Sequence, residues 1–255
     1  MEVLRFHYLS FILDMAAKFK KFKVYILFFG LLGSACELVG QTRFSVGVSA
    51  GYSGFAMKSL SDYQRERLKQ FDVPVKITDD FPAYLNLGLS FMISRPKVFY
   101  VFYLGHTSTG GRIHYEDYSG YVSSEMVPKM TYLGAGIAGQ IFKIKTTHVF
   151  LGANLLEYSN KLKMTDEEVI HNIDHNYKGS VTLESVNVAI GPLLEAQREV
   201  KKFLFKVNAS YEFHLQGKLM YGGQADVTLK NEAGKSVKID GTGLRINAGV
   251  GYLLR

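Results

Sequence analysis

The sequence has 255 residues, a net charge of +7 and 47% hydrophobic residues, which is enough chain for one domain of ordinary size. Its 16 Tyr, 18 Phe and 25 Gly favour many short strands joined by turns over a helical bundle. The single cysteine, Cys36, excludes an internal disulfide, and the scattered basic residues give no reason to expect a nucleic-acid partner.

Residues 1–41 are predicted to be a signal peptide with an N-terminal extension. Four lysines between Lys18 and Lys23 precede the largely apolar residues 24–32, and small residues follow. A basic segment, a short apolar segment and a small-residue region are typical of a secretory signal. The apolar segment is shorter than the ~20 residues of a transmembrane helix. Two alternatives stay open, namely translation from Met15 and lipidation of Cys36.

Residues 42–255 contain eight segments in which apolar residues alternate with small or polar ones, as expected of β-strands. In the first segment, for example, Phe44, Val46 and Val48 share one face. The predicted strands are 43–53, 83–94, 98–108, 132–142, 148–156, 185–194, 202–214 and 243–254. Residues 98–108 are apolar on both faces, so their orientation stays open. Lengths of about ten residues suit strands that cross a bilayer at a tilt.

The connections between the predicted strands alternate in length. Short connections at 95–97, 143–147 and 197–201 alternate with long ones at 54–82, 109–129, 159–180 and 215–241. Short periplasmic turns and long external loops are typical of outer-membrane barrels. The sequence therefore predicts an all-β, eight-stranded antiparallel up-and-down transmembrane β-barrel with both termini in the periplasm. The alternative, a soluble barrel or sandwich, would turn the apolar faces inward. Within the first long connection, residues 62–70 are predicted to form a short helix.

Two segments carry a resemblance to known proteins. Residues 108–120 (Ser-Thr-Gly-Gly-Arg-Ile-His-Tyr-Glu-Asp-Tyr-Ser-Gly) and 243–252 (Gly-Leu-Arg-Ile-Asn-Ala-Gly-Val-Gly-Tyr) resemble the small outer-membrane β-barrel proteins of the porin family, of OmpA-like or PorT-like type. The resemblance implies a barrel over most of residues 42–254 and implies no activity. Many such barrels end in an aromatic residue, whereas this chain ends Tyr-Leu-Leu-Arg.

Charged residues on the inward face of the predicted barrel are expected to form ion pairs. Lys206, Glu212 and Arg245 share the polar parity of the last two strands, and Glu212 is expected to pair with Arg245, Arg43 or Lys206. An interior of eight strands is just wide enough to be filled by side chains, so an open pore is not expected. A narrow gated channel is the alternative.

An enzymatic alternative rests on His106, Ser108 and Glu116. Period two places His106 and Ser108 on one face, and lipid A deacylases use a His-x-Ser pair with a Glu, in which the histidine takes the serine proton. A polar rim at the end of a strand explains the same residues without catalysis.

A metal alternative rests on His171 and His175. If residues 165–168 started a helix as a capping box, the two imidazoles would share a face. A third protein ligand is not evident, so a polar loop is preferred and no cofactor is expected. The leading hypothesis is a non-enzymatic barrel with a structural or interaction role. Its expected partners are outer-membrane lipid and lipopolysaccharide, with another outer-membrane or periplasmic protein as an alternative.

Overall fold

The computed structural model describes residues 42–171, 175–215, 217–222 and 224–254, which form one antiparallel sheet of 12 strands and one helix. The predicted signal peptide and Cys36 lie outside these residues. No helix in the four ranges is long and apolar enough to cross a membrane.

Helix α1 (Lys58–Leu68) lies between the first two strands. The strands are β1 (Arg43–Ser53), β2 (Lys76–Asp80), β3 (Tyr84–Ser94), β4 (Val98–Ser108), β5 (Gly111–Asp117), β6 (Gly120–Ile144), β7 (Thr147–Ile170), β8 (His175–Val200), β9 (Phe203–Leu215), β10 (Met220–Tyr221), β11 (Gln224–Thr228) and β12 (Gly243–Leu254). The predicted helix at 62–70 is confirmed, although it begins and ends earlier than expected.

Eight strands form a ring through their pairing. In the order β1, β3, β4, β6, β7, β8, β9 and β12, each pairs antiparallel with the next, and β12 pairs with β1. The tight turns before β4, β7 and β9 lie at one end, here called the turn end, and the opposite end is the loop end. The all-β antiparallel prediction and the eight predicted strands are confirmed.

The ring carries apolar side chains outside and polar side chains inside. On β3, for instance, Leu89 is 52% exposed while its neighbour Ser90 is buried. Other exposed outward residues are Phe44, Val46, Val48, Leu85, Leu87, Leu104, Leu133, Leu151, Val186, Ile190, Leu194, Phe203, Phe205, Val207, Phe213, Leu244, Ile246 and Tyr252. Buried inward residues include Ser45, Asn86, Thr107, Asn154, Gln197, Asn208, Ser210 and Glu212. This is the reverse of the distribution in a water-soluble barrel.

Strands β6, β7 and β8 continue beyond the ring, which corrects the prediction that residues 109–129 and 159–180 are loops. Their outer parts pair with one another, while β5 and β2 extend the sheet on one side and β10 and β11 on the other. These segments are here called the extension. The helix on which the metal alternative depended does not form, because residues 165–168 pair with both β6 and β8 inside β7.

The chemistry of the two faces changes where the ring ends. Along β7, Leu151 and Leu155 face outward in the ring, but Lys161 and Lys163 take the outward positions in the extension. The inward positions change in the opposite sense, with Leu162 and Met164 buried. The extension therefore has an ordinary polar outer face. In the extension the apolar residues occupy the inward positions, whereas in the ring they occupy the outward ones. The alternation seen in the ring strands is therefore interrupted, and the sequence predicts loops there.

Apolar cores fill both ends of the molecule. At the loop end, α1 contributes Leu60 to a core between the helix and the extension, which also contains Met126, Leu162, Leu183 and Ile239. At the turn end, Phe99 and Phe150 pack edge to face with ring centroids 5.0 Å apart, within a smaller core. This also settles the orientation of β4, because Phe99 and Val101 face inward. Polar side chains lie between the two cores.

Gly105 makes room for a tyrosine on the inner wall. A Cβ at Gly105 would overlap the ring of Tyr132, and it would lie 2.7 Å from the carbonyl oxygen of Leu87. The Tyr132 hydroxyl is thereby placed to donate a hydrogen bond of 3.0 Å to Asn86 Oδ1. Because Gly105 of β4 has no side chain, the ring of Tyr132 from β6 can occupy this space.

We expect Gly105→Ala to lower the free energy of unfolding by about 1–3 kcal/mol, because overpacking must displace Tyr132. Far-UV circular dichroism during urea unfolding in detergent micelles measures this change. Gly139→Ala is the matched control, since a Cβ there lies 4.0 Å from its nearest neighbour, the carbonyl oxygen of Lys97. Equal stability of the two variants would contradict the close packing of Tyr132 against Gly105.

Candidate functional site

Glu212 and Arg245 form the centre of a buried polar cluster toward the loop end. Arg245 Nε lies 3.4 Å from Glu212 Oε2, and the Tyr158 hydroxyl donates a hydrogen bond of 2.6 Å to the same oxygen. His214 Nε2 lies 3.4 Å from it as well. All four side chains are buried. The strand register explains why Glu212 and Arg245 are neighbours. Glu212 is opposite Gly243 on β12, and Arg245 follows Gly243 by two residues on the same face.

The guanidinium of Arg245 also joins the ring to the loops that cover it. It donates hydrogen bonds to the carbonyl oxygens of Gly54 and Gly241, the second at 2.6 Å. Its Cζ lies 4.8 Å from the centroid of the Phe55 ring, within the range of a cation–π interaction. Arg245 thus holds together the chain leaving β1 and the chain entering β12.

Two further charged side chains, Lys206 and Glu195, are buried toward the turn end. Lys206 Nζ donates a hydrogen bond of 2.5 Å to Ser90 Oγ and interacts electrostatically with Glu195. The Glu195 carboxylate accepts hydrogen bonds from Gln197, at 2.6 Å, and from Asn208, at 3.3 Å. Each buried charge therefore has an opposite charge or several donors nearby, as burial in a confined interior requires.

Amide side chains connect the two charged clusters across the ring. Asn208 Oδ1 accepts from Asn247, and Asn247 Oδ1 accepts from Asn86, each at 3.1 Å. A cavity of about 30 Å³ lies in this layer and is lined in part by Tyr103 and Asn154. Such a volume holds about one or two water molecules. Side chains therefore occupy most of this cross-section.

Arg43 does not belong to the buried interior. It lies at the rim of the turn end, where Nη1 is 2.7 Å from Glu199 Oε2, and both side chains are about half exposed. Of the three partners considered for Glu212, the structure places Arg245 beside it. Lys206 is inward and buried as expected from its parity, but its charged neighbour is Glu195.

The candidate catalytic residues do not form one cluster. His106 and Ser108 both face outward on β4, and His106 Nδ1 lies 3.1 Å from Thr131 Oγ1. Glu116 is opposite Tyr121 on β6, whereas Ser108 is opposite Lys129 on the same strand. The two positions on β6 are eight residues apart, which is about 26 Å at ~3.3 Å per residue. Glu116 therefore cannot orient His106.

The histidines proposed as metal ligands lie at the far end of the extension. His171 follows β7 and is exposed, and residues 172–174 lie outside the described residues. The backbone of His175 pairs with Ile170 in a strand, so the predicted helical spacing is not present. Among residues 42–171, 175–215, 217–222 and 224–254, no group of three side chains suits a metal ion.

A row of lysines marks the outer surface where the ring meets the extension. Lys129 and Lys161 are directly opposite on β6 and β7, and Lys163 follows on the same face. Lys161 pairs with Glu184 on β8, with Nζ 3.1 Å from Oε1. Like charges directly opposite in a sheet are destabilising. The apolar residues Leu133 and Leu104 lie on the same outer face, four ladder positions closer to the turn end than Lys129.

Sequence reasoning missed Glu195 and Tyr158 because the predicted strands ended at 194 and 156. Both residues continue the inward parity of β8 and β7, so period-two counting over longer strands would have found them. Counting along the strands could not have identified the residues that Glu195 and Tyr158 contact. Tyr158 meets Glu212 across the interior, and only the ring pairing determines that contact.

The chain matches no protein-family model and no curated protein. It is similar in structure to Ail, the attachment invasion locus protein of Yersinia pestis, with 14% identity and a TM-score of 0.32 over 85% of this chain and 100% of that chain. A second structure, Ail in complex with the heparin analogue sucrose octasulfate, gives 15% identity and a TM-score of 0.31 over the same shares. Values this low establish neither a family nor a ligand.

We expect Arg245→Met to destabilise the protein by about 3–5 kcal/mol, because it leaves the Glu212 carboxylate buried without its cation. The double variant Glu212→Leu with Arg245→Met should lose less than the sum of the two single variants. Urea unfolding in micelles, followed by circular dichroism, measures the coupling.

The control for this cycle is Arg43→Met, which removes the half-exposed pair with Glu199 and should cost about 0–1 kcal/mol. Additive losses for Glu212 and Arg245 would show that the two residues do not stabilise each other.

Proposed function

We propose that this chain is a non-enzymatic outer-membrane β-barrel with a structural and interaction role. The observation that carries the proposal is the reversed distribution of side chains, apolar outside and polar inside the ring. In a bilayer core, the backbone must find all its hydrogen-bond partners within the protein, and a ring of paired strands provides them. Water-soluble rings bury apolar residues instead.

The height of the apolar surface supports this proposal. On β8 the outward positions from Val186 to Ala196 are apolar, and they are bounded by Glu184 and Arg198. Ten residues at ~3.3 Å per residue, tilted by ~40°, give a band about 25 Å tall. This is the height of the apolar band of outer-membrane barrels.

In this arrangement the turn end faces the periplasm with both termini, and the extension projects outside the cell. Residues 1–41 serve as the export signal, and residues 42–255 form the barrel. Outer-membrane barrels have short turns on the periplasmic side and long connections on the extracellular side, which agrees with this orientation. The side chains and hydrogen bonds that cross the interior argue against a conducting pore.

The lysine row supports contact with anionic lipid of the outer leaflet. Lys129, Lys161 and Lys163 lie at the edge of the apolar band, where lipid phosphates would relieve their mutual repulsion.

A shallow outward groove of about 450 Å³ lies nearby in the band, and its lining includes Leu87, Leu104, His106 and Thr131. An acyl chain in the groove and phosphates at the lysines suit lipopolysaccharide. Glu157 lies two residues from Ser159 toward the turn end and is opposite Val188, so the outer face of β7 carries a carboxylate between the lysine row and Leu155.

We expect Leu89→Arg to lower the free energy of unfolding by about 2–4 kcal/mol in lipid vesicles, because it places a cation near the bilayer midplane. In a water-soluble protein, the same change at a half-exposed leucine would lie within about 0.5 kcal/mol. Leu215→Arg, at the exposed loop end of β9, is the control and should cost about 0–1 kcal/mol. Failure of the wild type to insert into vesicles, or equal losses for both variants, would refute the membrane proposal.

We expect lipopolysaccharide to stabilise the vesicle-inserted wild type, and Lys129→Gln with Lys163→Gln to weaken this binding about thirtyfold. The reason is the loss of about 1 kcal/mol of electrostatic attraction per lysine near an anionic surface. Thermal unfolding at rising lipopolysaccharide concentration measures the affinity. Lys145→Gln with Lys202→Gln removes two exposed lysines at the turn end as control. Equal weakening in both double variants would contradict a site at the lysine row.

A further inference from the structure

The distal end of the extension carries a partly exposed row of two tyrosines, a valine and a glutamate. Tyr115, Val122, Glu168 and Tyr177 are directly opposite one another across β5, β6, β7 and β8. Four adjacent strands at ~4.8 Å spacing make this row about 14 Å wide. We call these four residues the platform. Tyr177 is 53% exposed, and Tyr118, in the turn above the platform, is 93% exposed.

The platform belongs to the inner face of the extension, beyond the core covered by α1. The next row toward the ring contains buried Ile113 and Ser124 together with Asp166. Arg67, near the end of α1, pairs with Asp166 at 2.9 Å, so the helix reaches that row. Among the described residues, no hydrogen bond or ion pair joins α1 to the platform, and Arg67 reaches only Asp166.

The charge of this face is negative. Asp117 lies one row beyond the platform, and Glu168 lies within it. Ser119 donates hydrogen bonds of 2.8 Å from its backbone nitrogen and 2.6 Å from its hydroxyl to Asp117 Oδ1. These bonds lower the pKa of Asp117, so it stays ionised at neutral pH. Glu168 has no ion pair among the described residues.

The cations near the tip are already engaged or lie on the opposite face. Lys178 occupies the outer face and pairs with Glu167 at 3.1 Å. Arg112, also on the outer face, pairs with Glu125. His114 lies 3.5 Å from Glu116 there. Among the described side chains, the inner face thus presents carboxylates and tyrosine rings, Arg67 on this face pairs with Asp166, and Glu168 takes part in no ion pair.

We propose that the platform binds a protein segment carrying Lys or Arg side chains, with Glu168 as the ionic partner and Tyr177 and Tyr115 as stacking surfaces. Cations bind over tyrosine rings, and guanidinium groups also pair with carboxylates. Tyrosine, serine and glycine, which dominate residues 115–121 and 177–180, are residues that recognition loops use for adaptable contact.

A membrane lipid does not fit this surface. Glu168 lies seven residues along β7 from Lys161, which is about 23 Å beyond the edge of the apolar band at ~3.3 Å per residue. Anionic sugars and phosphates would be repelled by Glu168 and Asp117. The inference rests on the proposed interaction role, since it names the partner chemistry of the projecting end.

The test is fluorescence anisotropy of the labelled peptide Arg-Gly-Arg-Gly-Arg-Gly-Arg, titrated with the full chain in uncharged detergent micelles. We expect Tyr177→Ala and Glu168→Gln each to weaken binding by about two- to fivefold. Combining them should weaken it about tenfold. Tyr177→Phe should bind like the wild type, because the ring face remains.

Two controls separate the platform from general attraction to acidic surface. Glu184→Gln removes an exposed carboxylate at the lysine row, and Tyr84→Ala removes a tyrosine that is also 53% exposed. Both should leave the affinity unchanged. Absence of binding by the wild type, or equal weakening by the controls, would overturn the proposal. Because the peptide binds in micelles, failure of membrane insertion would refute the proposed function without affecting this result.

Discussion

The pairing of eight strands into a ring is the constraint on which the rest of the structure depends. Every ring strand has two hydrogen-bonded neighbours, so side chains alternate strictly between an outer and an inner surface. Between the two end cores, apolar residues such as Leu89 point outward and polar residues such as Ser90 point inward. The ring therefore exposes its apolar surface, and only an apolar solvent such as a bilayer makes this arrangement favourable.

The interior follows from the same constraint. Turning the polar parity inward buries Arg245, Glu212, Lys206 and Glu195, which would be costly without partners. The structure meets this cost with two clusters linked by asparagine amides, and apolar cores close both ends. The same interactions that satisfy the buried charges also fill the lumen. A structural role thus accounts for residues that, on parity alone, are equally compatible with an ion path.

Sequence reasoning was accurate where local periodicity carried the information. The strand that contains Leu89 was placed within one residue, and helix α1 within a few. It was wrong at residues 159–180, where the apolar residues change from the outward to the inward face and the lipid-facing pattern stops. The alternative of a helix starting at 165–168 is not realised either, because pairing on both sides overrides a local capping preference. Arg43 shows a further limit. Alternation predicts which face of a strand a residue occupies, but it does not predict which residues of other strands lie at the same level, and Arg43 lies at the rim beside Glu199 and not beside Glu212.

By itself, the sequence determined the period-two pattern, the number of ring strands and the side that carries the tight turns, since each depends on neighbouring residues. Only the tertiary structure decided which residues meet. Tyr158 reaches Glu212, and Tyr115 shares a row with Glu168 and Tyr177, because the register between distant strands brings them together. Register depends on all the pairings of the ring at once, and no single segment of the chain contains that information.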